Sequence, residues 1–316
     1  MARGARLTSG MRIVLSNRHF WLFIAACGVS LGVLAAGGRP LEEAVGALVI
    51  LGLILPLLAL ATCWRLPPPT PPQPWRSDDA ATMTMLVGWI VVFLMLKGPL
   101  LEALVPASAG PAFRDTVNTA LKLLAFVAVP AIVVRLRGFD WRQAGRPTAP
   151  AIRLLLCFVL LALAGLAIQY LLGSQFHRLL GPDYAGRPIL LGTLLAFGWM
   201  SLEAGLVEEF FFRWYLQSRL AAWAGSQVSA VFLSSLVFGL AHAPGIWLRG
   251  AGVQEGLGVN PSLLTTLAYV VVTQGVAGLM FGTLWARTRS FVLVVLLHGF
   301  IDAPSNAASF MDAWGL

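Results

Sequence analysis

The chain has 316 residues, of which 58% are hydrophobic and 11% charged, and its mean hydropathy is +0.80. Water-soluble domains carry about 25% charged and about 45–50% apolar residues, so this shortage of charge excludes a soluble globular domain and points to lipid as the solvent. The net charge of +8 comes from 20 Arg against two Lys, but the Arg lie between apolar runs rather than on one basic face, which argues against a nucleic-acid partner.

A bilayer core takes roughly 20 helical residues to cross. Runs near that length fall at 20–36, 44–64, 81–96, 116–134, 154–172, 189–212, 228–248, 263–286 and 291–303. The fold class is therefore all-α, a polytopic helical bundle of eight to nine membrane spans, with eight if the short last run is re-entrant. The first run reads as a retained span rather than a signal peptide, because the polar stretch before it is long. Between the second and third runs, 66–74 holds six prolines in nine residues and reads as an extended, polyproline-like linker. The five runs up to residue 188 form an N-terminal part, and 189–316 a second.

With the N-terminus inside, 15 Arg fall on inner segments, Arg3, Arg6 and Arg142 among them, and five Arg plus Lys97 on outer ones; Lys122 is left within a span. That bias follows the positive-inside pattern and places the N-terminus on the cytoplasmic side of a multi-pass membrane protein. The preference for Arg over Lys, with abundant Ala, Gly and Leu, suits a GC-rich bacterial genome and hence the bacterial inner membrane. Cys27, Cys63 and Cys157 all sit inside apolar runs without a C-x-x-C pair, and read as small hydrophobes.

An ionisable residue within a span is costly unless something pairs or uses it. The later runs hold Glu203, Glu208, Glu209, Arg213, His242, His298 and Asp302, whereas the first five hold almost none. In Leu206–Gln217, Glu209 and Arg213 are four apart on one helical face and can pair. Glu208 is turned by about 100° from Glu209 and is left for another task, such as a general base. Because the sixth run is read as ending at Phe212, the two glutamates fall near its inner end, whereas His242 lies about 14 residues, roughly 20 Å, into the seventh. Phe238 and His242 share a face, and Pro244 with Gly245 is expected to break that helix just beyond. His298 and Asp302 share a face of a short run expected to end at Pro304. Glu203 and Lys122 fit no such pattern.

Glu-Glu-x-x-x-Arg, then Phe-x-x-x-His, then His-x-x-x-Asp, in this order on successive membrane helices, resembles the CPBP family, also called Abi, or CAAX proteases and bacteriocin-processing enzymes. The motifs are carried by about 189–303 and are complete. The resemblance implies an intramembrane endopeptidase acting on a membrane-associated protein or peptide. It makes Glu208 the catalytic glutamate and His242 its helper in holding a water, with His298 and Asp302 as the second half of the site. Glu209, Arg213 and Phe238 are supporting residues. No Ser/His/Asp or Cys/His constellation offers a nucleophile, so the preferred reading is a glutamate-activated water with no cofactor, His298 stabilising the oxyanion and Asp302 orienting His298 or sharing the site. The alternative is a zinc site drawn from His242, His298 and a carboxylate of Glu208 or Asp302. Outside the enzyme class stand a proton-coupled transporter and a non-catalytic scaffold or immunity protein of the same family.

Overall fold

The computed structural model describes residues 12–140, 145–249, 257 and 260–316. Arg3, Arg6 and Arg142 lie outside them, as does the side chain of Arg249. Among the described residues there is no strand, and nine helices are long and apolar enough to cross a bilayer. They are α1 (Arg18–Ala36), α2 (Glu42–Thr62), α3 (Asp79–Leu104), α4 (Pro111–Leu136), α5 (Ala151–Leu172), α6 (Ile189–Ala224), α7 (Gln227–Leu248), α8 (Leu263–Thr288) and α9 (Phe291–Trp314). The last run is thus a full-length helix rather than a re-entrant end.

Lipid rather than water sets the layering. α2, the most apolar of the nine, is only 17% buried, whereas α8 is 67% buried and forms the centre. Apolar side chains face outward on α2, α3 and α5, as Leu53, Val92 and Leu163 do, because the bilayer accepts them. The polar side chains are drawn inward, where other helices can partner them.

Prolines act differently here than the sequence pattern suggests. Pro244 sits inside a helix that continues to Arg249, and Pro304 inside one that continues to Trp314. Proline removes one intrahelical hydrogen bond, and a membrane helix held by neighbours absorbs that loss. At Pro56 and Pro130 the adjustment is visible: each follows a wide π turn, Ile50–Ile54 and Leu124–Ala128. Three further π turns, Ser201–Leu206, Phe210–Gln217 and Val271–Gly275, have no proline to explain them. Unforced π turns often mark functional positions.

The proline-rich stretch is tied down. Arg219 Nη2 donates to the carbonyls of Gln73 (3.1 Å) and Pro74 (2.9 Å) and pairs with Asp79 at 3.0 Å. Thr148 and Thr70 add hydrogen bonds to Pro68 O and Arg146 O. The segment is a strap across the end of α6 rather than a free linker. Lys122 and Glu203 also find an account: Glu203 Oε1 accepts from Lys122 Nζ (3.1 Å) and Asn118 Nδ2 (3.0 Å), and its Oε2 from Trp199 Nε1 (3.0 Å). The pair is a satisfied intramembrane tie between α4 and α6. All three cysteines are buried and free.

Candidate active site

Where α6 ends decides the depth of the site. The run expected to stop at Phe212 continues as helix to Ala224, because its polar residues find partners inside the bundle: Arg213, Gln217, Ser218 and Arg219 are all buried. Glu208 therefore lies 16 residues, about 24 Å, from that end, and His242 lies 15 residues from the start of α7. The two fall at one level, and the mismatch that a shorter α6 implies disappears.

α9 is set to the same level by its first turn. Arg289, between α8 and α9 with φ +49°, donates from Nη1 to Ser218 Oγ at 2.7 Å and lies over the Trp285 ring. Burial pushes this guanidinium down to about 10, so it stays charged at neutral pH. Ser218 is ten residues after Glu208, and His298 is nine residues after Arg289, so antiparallel helices pinned at Ser218 bring Glu208 and His298 together. Close backbone approach completes the crossing. A Cβ on Gly299, next to His298, would stand 2.5 Å from the Cα and N of Ser201 on α6. Small residues at such contacts are what let membrane helices pack tightly.

The motif residues converge. Glu208 Oε2 is 3.9 Å from His242 Nε2 and 3.8 Å from His298 Nε2. His298 Nε2 is also 3.5 Å from Asp302 Oδ2. Separations of this size are too long for direct hydrogen bonds and suit a bridging water. His242 Nδ1 lies 2.8 Å from the Phe238 carbonyl. A carbonyl only accepts, so Nδ1 carries the proton and Nε2 of the neutral ring turns a lone pair toward Glu208.

The two adjacent glutamates are sorted by burial. Glu208 retains 17% side-chain exposure and Asp302 34%, whereas Glu209 and Arg213 retain none. Glu209 is shared. Its Oε1 accepts from His298 Nδ1 at 2.8 Å, and its Oε2 lies 3.4 Å from Arg213 Nε. Arg213 Nη2 donates to Gly278 O at 3.3 Å, and its guanidinium sits 4.3 Å from the centre of the Phe238 ring. Phe238 thus serves twice, with its carbonyl on His242 and its ring under Arg213. Glu209 holds Nδ1 of His298, while Asp302, expected to orient His298 or share the site, approaches the opposite ring nitrogen.

Sequence reasoning missed several neighbours. Phe281 of α8 stacks on His298, with centroids 4.6 Å apart and planes at 20°. A cavity of about 270 Å³ opens on Glu208, His242, His298 and Asp302 and is also lined by Leu51 and Leu55 of α2, Gln169 of α5 and Gln274 of α8. The one available signal was the glutamines, which are rare polar groups in apolar runs. Leu51 and Leu55 carried none.

Two imidazole nitrogens and two carboxylates are the ligand types zinc prefers. As placed, however, no group of three or more His, Cys, Asp or Glu among the described residues could hold a metal ion. The side chains do not form a cage.

Nine helices long and apolar enough to span, among the described residues, around a Glu/His/Asp cluster on one cavity define an integral membrane protein with a polar site inside its bundle. Residues 190–304 match the family model for Rce1-like, type II CAAX prenyl endopeptidase, the CPBP/CAAX-protease family that the three motifs resemble. The match covers 115 of the 316 residues. No curated protein and no solved structure matches the chain.

Proposed function

We propose that this chain is an intramembrane endopeptidase that hydrolyses a peptide bond in a membrane-associated protein or peptide with a water activated by Glu208. The observation that carries this reading is the placement of Glu208 Oε2 within 3.9 Å of ring nitrogens from two other helices, on the wall of one cavity. Gathering ionisable groups in an apolar bundle is costly and marks a functional site, and the family resemblance of these residues favours peptide hydrolysis.

The chemistry follows from the donors and acceptors. A water held between Glu208 and His242 Nε2 gives a proton to Glu208 as its oxygen attacks the scissile carbonyl. His298, held by Glu209 through Nδ1, presents Nε2–H to the oxyanion that forms. Protonated Glu208 then gives its proton to the leaving nitrogen as the C–N bond breaks, which yields a carboxylic acid and an amine and restores the site; the acid's proton passes to the amine or to water as the products leave. Asp302 shares the charge on the cavity side of His298. The topology that accords with the Arg distribution puts the N-terminus in the cytoplasm, in a bacterial inner membrane.

The test is direct. The purified protein in detergent is offered a pool of internally quenched, lipid-anchored peptides, and products are sequenced by mass. Cleavage by the wild type, lost in both Glu208→Gln and His298→Gln, is the expected result. Cleavage of nothing by wild type, or equal cleavage by both variants, would remove the peptidase reading.

A further inference from the structure

α8 is buried from Ala268 to Ala286 except at two positions, Gln274 and Ala277. These lie three apart on one face, and both line the cavity that holds Glu208 and His298. Ala277 is apolar and needs no partner. Gln274 is a carboxamide at membrane depth, and among the described residues it makes no hydrogen bond. Leaving a carboxamide unpaired in such surroundings is costly.

The backbone holds it there deliberately. Gln274 lies in the π turn Val271–Gly275. That turn meets α7 at a glycine-to-glycine contact: a Cβ on Gly239 would stand 2.7 Å from the Cα and N of Gly275. Gly239 is three residues before His242, so this contact fixes Gln274 against the helical turn that presents His242 to the cavity.

The other polar groups of the cavity are committed. Glu208, His242, His298 and Asp302 face one another. Gln169 donates to Ile301 O at 3.2 Å and accepts from Ser305 Oγ at 2.8 Å. Gln274 is left as an uncommitted donor and acceptor side by side, and that pairing is the complement of one peptide unit. A substrate strand brought among apolar walls such as Leu51 and Leu55 must have its main-chain N–H and C=O satisfied by protein.

We propose that Gln274 binds the main chain of the peptide substrate beside the scissile bond, its carboxamide pairing with one substrate peptide unit. This rests on the peptidase reading of the same cavity. It makes Gln274 a substrate-binding residue that acts in the bound ground state and the transition state alike, so its loss shows in KM.

The experiment uses the full-length protein in detergent and those lipid-anchored, quenched peptides that the wild type cleaves. Gln274→Met keeps the volume and removes both hydrogen bonds. Two hydrogen bonds lost predict a rise in KM of about 10–100-fold, with kcat within about threefold of wild type. A second measurement works from the substrate side. Replacing successive peptide amides by esters identifies one position where the ester raises KM for the wild type but not for Gln274→Met. Unchanged KM in Gln274→Met with no ester-sensitive position would overturn the proposal, and so would a fall in kcat at constant KM. Those outcomes leave the peptidase reading standing as long as Glu208→Gln is inactive. If Glu208→Gln cleaves as well as wild type, that reading itself has failed.

Discussion

Glu209 is the buried residue on which both His298 and Arg213 depend, and its removal has a calculable cost. Glu209→Leu leaves Arg213 fully buried against the Gly278 carbonyl and the rings of Phe212, Phe238 and Phe281, with no carboxylate bonded to it. Stranding one charge of a buried pair costs about 3–5 kcal/mol, a large share of a typical net stability of about 5–15 kcal/mol. Arg213→Met should cost less, about 1–3 kcal/mol, because Glu209 keeps the bond from His298 Nδ1. In the double variant both charges are gone, and the main residual penalty is the Nδ1–H of His298 left without an acceptor, about 1–3 kcal/mol. The double variant should therefore be more stable than Glu209→Leu alone and less destabilised than the two single costs added. Unfolding in mixed micelles of dodecyl maltoside and sodium dodecyl sulfate, followed by tryptophan fluorescence, reads these differences. Catalysis should behave oppositely. The double variant, though refolded, should cleave about 10–100-fold more slowly than wild type, because His298 has lost its orienting partner. Additive destabilisation, within about 0.5 kcal/mol, would refute the coupling. Wild-type cleavage by the double variant would refute the orienting role of Glu209.

Three other outcomes follow from the same geometry. Gly299→Ala places a methyl group against the backbone of Ser201, which cannot turn aside; we expect a loss of about 1–3 kcal/mol by the same micellar unfolding assay, together with reduced cleavage as α6 and α9 separate. Lys122→Met should destabilise by about 1–3 kcal/mol, since Glu203 keeps its bonds from Asn118 and Trp199 but loses its counter-charge; adding Glu203→Gln to the same chain should recover most of that loss. Prolonged dialysis against a strong chelator should leave cleavage intact if Glu208 alone activates the water. Loss of activity restored by added zinc would show that the water is activated on a metal instead.

Much of the architecture was legible because lipid imposes a simple rule on composition. The nine runs emerge from apolar length alone and needed only adjusted ends, most of all at α6 and α9. α6 ran past Phe212 because the polar residues that lower its hydropathy are buried against other helices, a fact that local composition cannot register. α9 was cut short for a related reason. Pro304 looks like a terminator in a peptide, yet here the chain around it is held by packing against α6. The site was legible as far as helical period reaches. Glu209 with Arg213, Phe238 with His242 and His298 with Asp302 are each one turn apart, so spacing could pair them. The contacts between helices were not legible: Glu209 to His298 spans 89 residues, and no period connects them. For the same reason the bond from His298 to Glu209 was missed, and Leu51, Leu55 and Gln169 from the N-terminal helices went unnoticed at a cavity they help to line.

The central claim is that Glu208, not its neighbour, carries the chemistry. Its most direct test compares Glu208→Gln and wild type for both micellar unfolding and cleavage of the same lipid-anchored peptide. Glu208 has no direct hydrogen bond to lose, only water-sized gaps to His242 and His298, so the variant should unfold within about 1 kcal/mol of wild type. Its cleavage should fall at least 1,000-fold, on the scale expected for loss of an essential base. A Glu208→Gln protein that is equally stable and still cleaves within tenfold of wild type would contradict the account.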